Sequence, residues 1–148
     1  MEIKIRRATG ADCEGAIGTL RRSIAELCVA DHRNDSEAVE SWLSNKTDEA
    51  WRSWTARDDA IVLVAEREGK VVGVGMATLS GEILLNYVHP EARFSGVSKA
   101  VLACIEDALQ ACGVPFCRLE STITARKFYE SCGFRPVATN ASILIKPL

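Results

Sequence analysis

The sequence predicts a single mixed α/β domain of the α+β kind, and three observations carry that expectation. Apolar residues recur at spacings of three and four over 10–29 and again over 97–112, the period of helices buried on one face. Between them the period becomes that of strands, in "AIVLVAERE" (60–68), "VVGVGMATL" (71–79) and "GEILLNYV" (81–88). Their connections are short enough for an antiparallel meander. The chain has 148 residues, 47% apolar and 26% charged, which suits one domain with an ordinary core and leaves no room for a second.

The elements follow in order. "IKIRRA" (3–8) reads as a strand. Thr9 and Asp12 then make a capping-box pair ahead of a helix carrying Ile17, Leu20, Ile24 and Leu27. "DHRND" (31–35) breaks it. Ser36 is expected to cap a helix with Val39, Trp42 and Leu43, and Thr47 a shorter one with Trp51 and Trp54. All three tryptophans fall in this segment, as anchors of short helices or as pocket walls. Gly73 and Gly75 inside a strand signal a bulge or a close approach. The helix from 97 stops before Gly113, "PFCRLES" (115–121) is a strand, and "TARKFYESCGF" (124–134) is a short helix stopped by Gly133. "ASILIKPL" (141–148) is the closing strand, giving the order β-α-α-β-β-β-α-β-α-β-β with no repeat or linker.

Charge and cysteines narrow the classes of partner. A net charge of −2, with basic residues scattered, argues against a nucleic-acid backbone, since such proteins show a basic excess. Arg6-Arg7 and Arg21-Arg22 read as solvated faces. No apolar run approaches membrane-spanning length. The six cysteines include no CxxC pair, and "MEIKIRRATG" has no secretory pattern, so free, mostly buried thiols in a reducing cytoplasm and no metal are expected.

"VHPEARFSGVSKAVL" (88–102) joins a strand to a helix through small polar residues. A helix N-terminus leaves amide N–H groups without partners, and the macrodipole adds partial positive charge, so it suits an anion. Gly96 lets backbone approach a ligand, Ser95 and Ser98 add small hydroxyls, and Arg93 adds a forked donor. The spacing R-x-x-G-x-S alone would equally suit an ordinary serine-rich helix cap.

Taken with the downstream "LESTITARKFYESCGF", this stretch resembles the signature of the GNAT acyl-CoA N-acyltransferases. The family's Q/R-x-x-G-x-G/A is here Arg93-Phe94-Ser95-Gly96-Val97-Ser98, and its A-x-x-x-Y-x-x-x-G-F is here Ala125, Tyr129, Gly133 and Phe134. Ser98 departs from the pattern, standing where the family has Gly or Ala. The element order matches too, so the resemblance spans nearly all of the chain. It implies a GNAT-type, mostly antiparallel central sheet with helices on both faces, and acetyl-CoA as acyl donor. The pyrophosphate would rest on the amides of 95–98 with Arg93, Phe94 and Val97 beside it. The pantetheine arm would run as an added strand along Tyr87 and Val88, where that strand parts from 116–120, near Thr122 and Ala125.

Acyl transfer to an amine requires a proton taken from the amine, an oxyanion stabilised and a leaving thiolate protonated. Tyr129, one turn from Ala125, is the expected donor to the thiolate. Its alternative is a core tyrosine. Glu82, whose placement resembles the base in a branch of the family, is the expected base. By alternation it shares a face with Leu84, Asn86 and Val88, away from Tyr87. His32 and His89 are further titratable candidates, each also readable as a surface histidine. Cys132 ends a helix, where the dipole disfavours a thiolate, so transfer is expected to be direct, in a ternary complex.

The resemblance puts the acceptor against 28–55, with His32 and Trp42 as contacts and Asn86 orienting substrate or water. The mix suits a small amine metabolite or amino acid. A protein N-terminus or lysine is the alternative acceptor. A non-catalytic acyl-CoA-binding module, or an interaction domain without CoA, is the alternative from another class. Pairing of 141–148 with a second copy would give a homodimer.

Overall fold

In the computed structural model, which describes residues 2–137 and 140–148, local signals near the start of the chain fix its first turn. Strand β1 (Lys4–Arg7) leads into the capping box, where Thr9 Oγ1 accepts from the Ala11 N–H at 3.2 Å and Asp12 Oδ2 accepts from the Thr9 N–H at 2.8 Å. A 3-10 turn follows, then helix α1 (Cys13–Leu27), whose apolar stripe buries Ala16, Ile17, Leu20 and Ile24. The break after it contains one short turn of helix, α2 (Val29–His32), that the sequence did not announce. Helix α3 (Ser36–Leu43) is capped by Asp35, whose carboxylate accepts from the Glu37 N–H at 3.1 Å. The expected cap, Ser36, is instead the first helical residue, because Asp35 has the extended backbone a cap needs and a stronger acceptor. Thr47 caps α4 (Asp48–Thr55) as expected. Trp51 on α4 is fully buried and its indole N–H donates to the Thr9 carbonyl at 3.0 Å.

Strands β2 (Ala60–Arg67), β3 (Lys70–Thr78) and β4 (Ile83–Val88) form the meander, and β1 pairs with β2, giving an antiparallel sheet of order β1-β2-β3-β4. Helices α1 and α4 cover one face, over Val62, Val64, Val74, Met76 and Leu85. Helix α5 (Val97–Ala111) covers the other, over Ala65, Ala77 and Ile83. The strand glycines explain how closely α5 approaches. A Cβ on Gly73 would stand 2.5 Å from Val97 Cγ1, and one on Gly75 2.4 Å from Val101 Cγ1. At these two positions the helix therefore rests its valines directly on the β3 backbone, with no strand side chain between.

Strand β5 (Phe116–Glu120), helix α6 (Arg126–Ser131), β6 (Arg135–Val137) and β7 (Asn140–Pro147) complete the chain. Their antiparallel sheet has the order β5-β7-β6. The mostly antiparallel sheets with helices on both faces agree with the expected fold. Because β7 lies between β5 and β6, both its edges are paired, so the closing strand offers no edge to a second copy.

The six cysteines are free, but only Cys28 and Cys117 are buried and Cys112 is exposed, so "mostly buried" does not hold. Cys112 follows the last residue of α5, beyond the buried stripe. Among the described residues, no helix is long and apolar enough to cross a membrane.

Candidate active site

The two sheets meet where β4 and β5 run side by side, and there they separate. Glu82 and Arg118 make a single parallel bridge, with the Arg118 N–H donating to the Gly81 carbonyl at 2.8 Å. Beyond it, β4 pairs only with β3 and β5 only with β7, so the strands splay. A cavity of about 510 Å³ occupies the opening. Its walls come from β4, the loop to α5, the end of β5, the start of α6 and the C-terminal turn of α1.

One end of the cavity is the start of α5. Gly96 precedes the helix with φ +82°, a left-handed backbone that favours glycine, and a Cβ there would meet nothing within 4 Å. Among the described residues, no side chain caps the first turn of α5 and no acidic residue sits in it. Its amide N–H groups are open to a ligand, and Lys99 joins Arg93 on the lining. Phe94 is also left-handed, at φ +64°, and is 90% exposed, with the Arg93 guanidinium 4.6 Å from its ring centre. Ser95 is turned away. Its hydroxyl donates back to the Ala92 carbonyl, and it does not line the cavity.

Two tyrosines and an asparagine meet deeper in. Tyr129 is 7% exposed, edge-on to Phe128 and Phe134. Burial lifts its hydroxyl well above the usual phenol range, against a smaller opposing effect of a hydrogen bond from Asn86, so it is protonated at neutral pH. Tyr87 is pushed up to about 12, chiefly by burial and then by Cys28, with a hydrogen bond from Trp42 acting the other way. Asn86 Nδ2 donates to the Ser98 carbonyl at 3.4 Å, while its Oδ1 is buried without a partner among the described residues. A buried acceptor left open is costly and is met by a donor from water or from a ligand.

These positions depart from simple alternation along β4. The register slips between Met76 and Ala77, leaving Leu84 as a bulge, exposed at 42%. Ile83 and Val88 pack on the α5 side, and Leu85 and Tyr87 on the α1 side. The parity linking Glu82 to Asn86 is therefore lost. Glu82 stands at the bridge, its carboxylate 3.3 Å from the Arg118 guanidinium, and does not line the cavity. The carboxylate that does is Glu120, at the end of β5.

Of the expected cofactor contacts, Tyr87, Val88, Arg93, Phe94, Gly96, Val97, Ser98, Thr122 and Ala125 line one cavity with Asn86 and Tyr129. His32 and Trp42 do not. His32 is buried, its Nε2 at 2.8 Å from the Ile24 carbonyl while its Nδ1 accepts from the Asn34 N–H at 3.0 Å. Both ring nitrogens are thus occupied, Nε2 in holding α2 to α1 and Nδ1 in the turn that follows α2. Trp42 packs edge-on to His32 at 6.1 Å and reaches the site only through Tyr87. The sequence reading missed Lys99 and Glu120, and included Cys28 only as the first residue of the expected acceptor wall. Lys99 carried a signal, a cation in the first turn after Gly96, whereas Cys28 and Glu120 come into the site by the packing of α1 and the splay of β5. Among the described residues, no cluster of His, Cys, Asp or Glu is arranged to hold a metal ion.

The amides of α5, the open Oδ1 of Asn86 and a groove between parted strands fit a ligand with an anionic end and an extended amide-bearing arm. Comparison with known proteins gives the same chemistry. The sequence matches the Acetyltransferase (GNAT) domain family over residues 29–142. The fold matches the PaiA N-acetyltransferase of Thermoplasma acidophilum, solved in complex with coenzyme A, at TM-score 0.88 and 25% identity, covering 100% of each chain. It also matches a GCN5-related N-acetyltransferase of Rhodopseudomonas palustris at TM-score 0.87 and 18% identity, covering 100% of this chain and 97% of that one. A GNAT family acetyltransferase of Brucella melitensis, in complex with acetyl-CoA, matches at TM-score 0.70 and 17% identity, over 99% of this chain and 88% of that one. No curated protein sequence matches the chain significantly. With the family's domain covering well over half of its length and both halves of the family signature facing one cavity, the chain belongs to the GNAT acetyltransferases and is an acyltransferase.

Proposed function

We propose that the protein transfers an acetyl group from acetyl-CoA to the primary amine of a small metabolite or amino acid, directly, within a ternary complex. The observation that carries this reading is the meeting, in one cavity, of the uncapped first turn of α5 and the buried hydroxyl of Tyr129. Acetyl-CoA, when bound, supplies the thioester. The amides of Val97 and Ser98, with Arg93 and Lys99, hold its phosphates, and the side chain of Ser98 is small enough to leave those amides accessible. Asn86 Oδ1 accepts from an amide N–H of the arm lying along β4. Tyr129 holds a proton that burial makes hard to lose, and donates a hydrogen bond toward the departing sulfur.

The acceptor takes the end of the cavity formed by Leu27, Cys28, Tyr87 and Glu120. Glu120 receives the amine's proton there. Glu82, ion-paired at the bridge and off the cavity lining, could reach the amine only through water. Among the described residues this end is lined by one carboxylate, Glu120, rather than by a charged groove of the kind that would hold a protein tail, which favours a small amine. The test is release of free thiol from acetyl-CoA with a panel of primary amines and amino acids, against peptide N-termini. Turnover with at least one small amine supports the proposal. Turnover with peptides alone would move the acceptor class to proteins. Tight acetyl-CoA binding without any turnover would make the chain a binding module.

A further inference from the structure

The cavity has two lips on the acceptor side, and one side chain joins them. Asp31, on α2, reaches across 92 positions of sequence to the loop between β5 and α6. Its Oδ1 accepts from the Ile123 N–H at 2.5 Å, and its Oδ2 accepts from the Thr124 hydroxyl at 2.5 Å. Thr124 lines the cavity on one lip, and Cys28, one turn before Asp31, lines it on the other. At its start the loop is tied to β7, the Ser121 N–H donating to the Ser142 carbonyl at 2.7 Å; past that point its other bonds are local, Thr122 Oγ1 accepting from the Ala125 N–H at 3.2 Å and Ser121 Oγ donating to the Thr122 carbonyl at 2.8 Å. The isoleucine between Thr122 and Thr124 is 73% exposed, so burial does not pin the loop down. Both bonds to Asp31 are charge-assisted, the strong class of hydrogen bond.

We propose that Asp31 is a positioning residue that clasps α2 to the β5–α6 loop, closing the acceptor end of the cavity and setting how large a molecule can enter there. That this end is the acceptor end rests on the function proposed above; the clasp itself does not. The clasp is a hydrogen-bonding device, not a charge that binds substrate. An isosteric amide, accepting from Ile123 and donating to Thr124, should therefore keep the clasp closed while giving up the charge assistance.

Cys28 is a built-in reporter of entry, 6% exposed and on the lining. Burial, with the Asp31 carboxylate adding to it, pushes its thiol up to about 11, so labelling is run at about pH 9, where some thiolate is present. The full-length protein is treated with iodoacetamide or the bulkier N-phenylmaleimide, and Cys28 modification is followed by peptide mass spectrometry, with exposed Cys112 as internal standard. Asp31→Ala should raise the Cys28 rate by about tenfold or more, as a local opening equilibrium shifts, and the bulky reagent should gain more than the small one. Asp31→Asn loses the charge that helps to raise the thiol but keeps both contacts, so the two reagents should speed up alike and the size discrimination should stay that of the unaltered protein. Thr124→Ala, made from the other lip with α2 intact, should speed labelling less, and should add nothing to Asp31→Ala. Size discrimination in Asp31→Ala equal to that in Asp31→Asn and the unaltered protein would overturn the proposal, whatever the absolute rates. So would a Thr124→Ala protein without effect, which decides the matter if Asp31→Ala fails to fold. Calorimetric titration with acetyl-CoA is the separate check on the site's function. No binding by the unaltered protein would end the transferase reading and leave the clasp to the Cys28 rates.

Discussion

Tyr129 keeps its proton because α6 presses it between Phe128 and Phe134, away from water, where a phenolate would be poorly solvated. Only a protonated phenol can donate to a departing sulfur. Tyr129→Phe removes that donor and leaves both ring contacts, so kcat should fall by about ten- to a thousandfold, the range for loss of a general acid, with the melting temperature little changed. Steady-state thiol release and a thermal melt check both halves, and an unchanged kcat would take Tyr129 out of the chemistry. A second residue-scale expectation concerns Asp12. The Arg6 guanidinium at 2.7 Å holds its carboxyl below the usual range, and the Thr9 N–H adds to this, against burial. A carboxyl depressed on folding stabilises above its unfolded value near 3.9, and that stabilisation is lost as pH falls through the lower folded value. Asp12→Asn should therefore cost about 1 kcal/mol at pH 7, the scale of a lost cap, and the two proteins should converge as acid is added below about pH 4. Urea titrations at several pH values read this directly. A gap that persists in acid would mean that shape, not charge, carries the contact.

At the scale of elements, the placement of α5 decides where the open amides point, and Gly73 and Gly75 decide the placement of α5. Gly75→Val would drive a side chain into Val101 and Ile105, with even its Cβ 2.4 Å from Val101 Cγ1. Overpacking of this kind costs about 1–3 kcal/mol, and a displaced α5 should also weaken acetyl-CoA binding. A thermal melt with calorimetry measures both losses. Retained stability and affinity would show that the helix can shift without harm. This pair of glycines was legible in the sequence, as were Gly96 and the three-and-four spacing of α5, because each is a local signal. The face of β4 was not. "GEILLNYV" runs apolar through 83–85 with nothing to mark which of the three is the bulge, and the slip at Leu84 arises from how the strand pairs with β3, so Glu82 was expected on a face it does not share with Asn86. His32 was misread for a similar reason. Its burial depends on the Ile24 carbonyl in the preceding helix, a contact that residue type does not announce. The clasp of Asp31 lies further still beyond local reading, since its partners stand 92 and 93 positions away.

For the whole molecule, the consequence of the splay is that two antiparallel sheets share one core while exchanging a single strand-to-strand bridge, at Glu82 and Arg118. The core runs from α5 through Leu119, Tyr129 and Leu144, so packing already couples the two sheets. What the seam lacks is backbone pairing between β4 and β5 beyond that bridge. A ligand lying in the groove, with phosphates on α5 and its arm along β4, would touch both sheets and be released when either opened. It should therefore stabilise the folded state as a unit, by about 2.7 kcal/mol at a hundred times its Kd. At about 2–4 °C per kcal/mol for a chain of this size, the melting midpoint should rise by roughly 5–10 °C in saturating acetyl-CoA, as one cooperative transition. Gly96→Glu keeps the fold, since a Cβ there meets nothing, at some cost in left-handed strain, but sets a negative charge against the phosphates. Its melt should not respond to acetyl-CoA. A shift that survives Gly96→Glu would place the nucleotide elsewhere on the molecule. A shift confined to part of the transition would mean that the two sheets unfold separately and that the ligand holds only one of them.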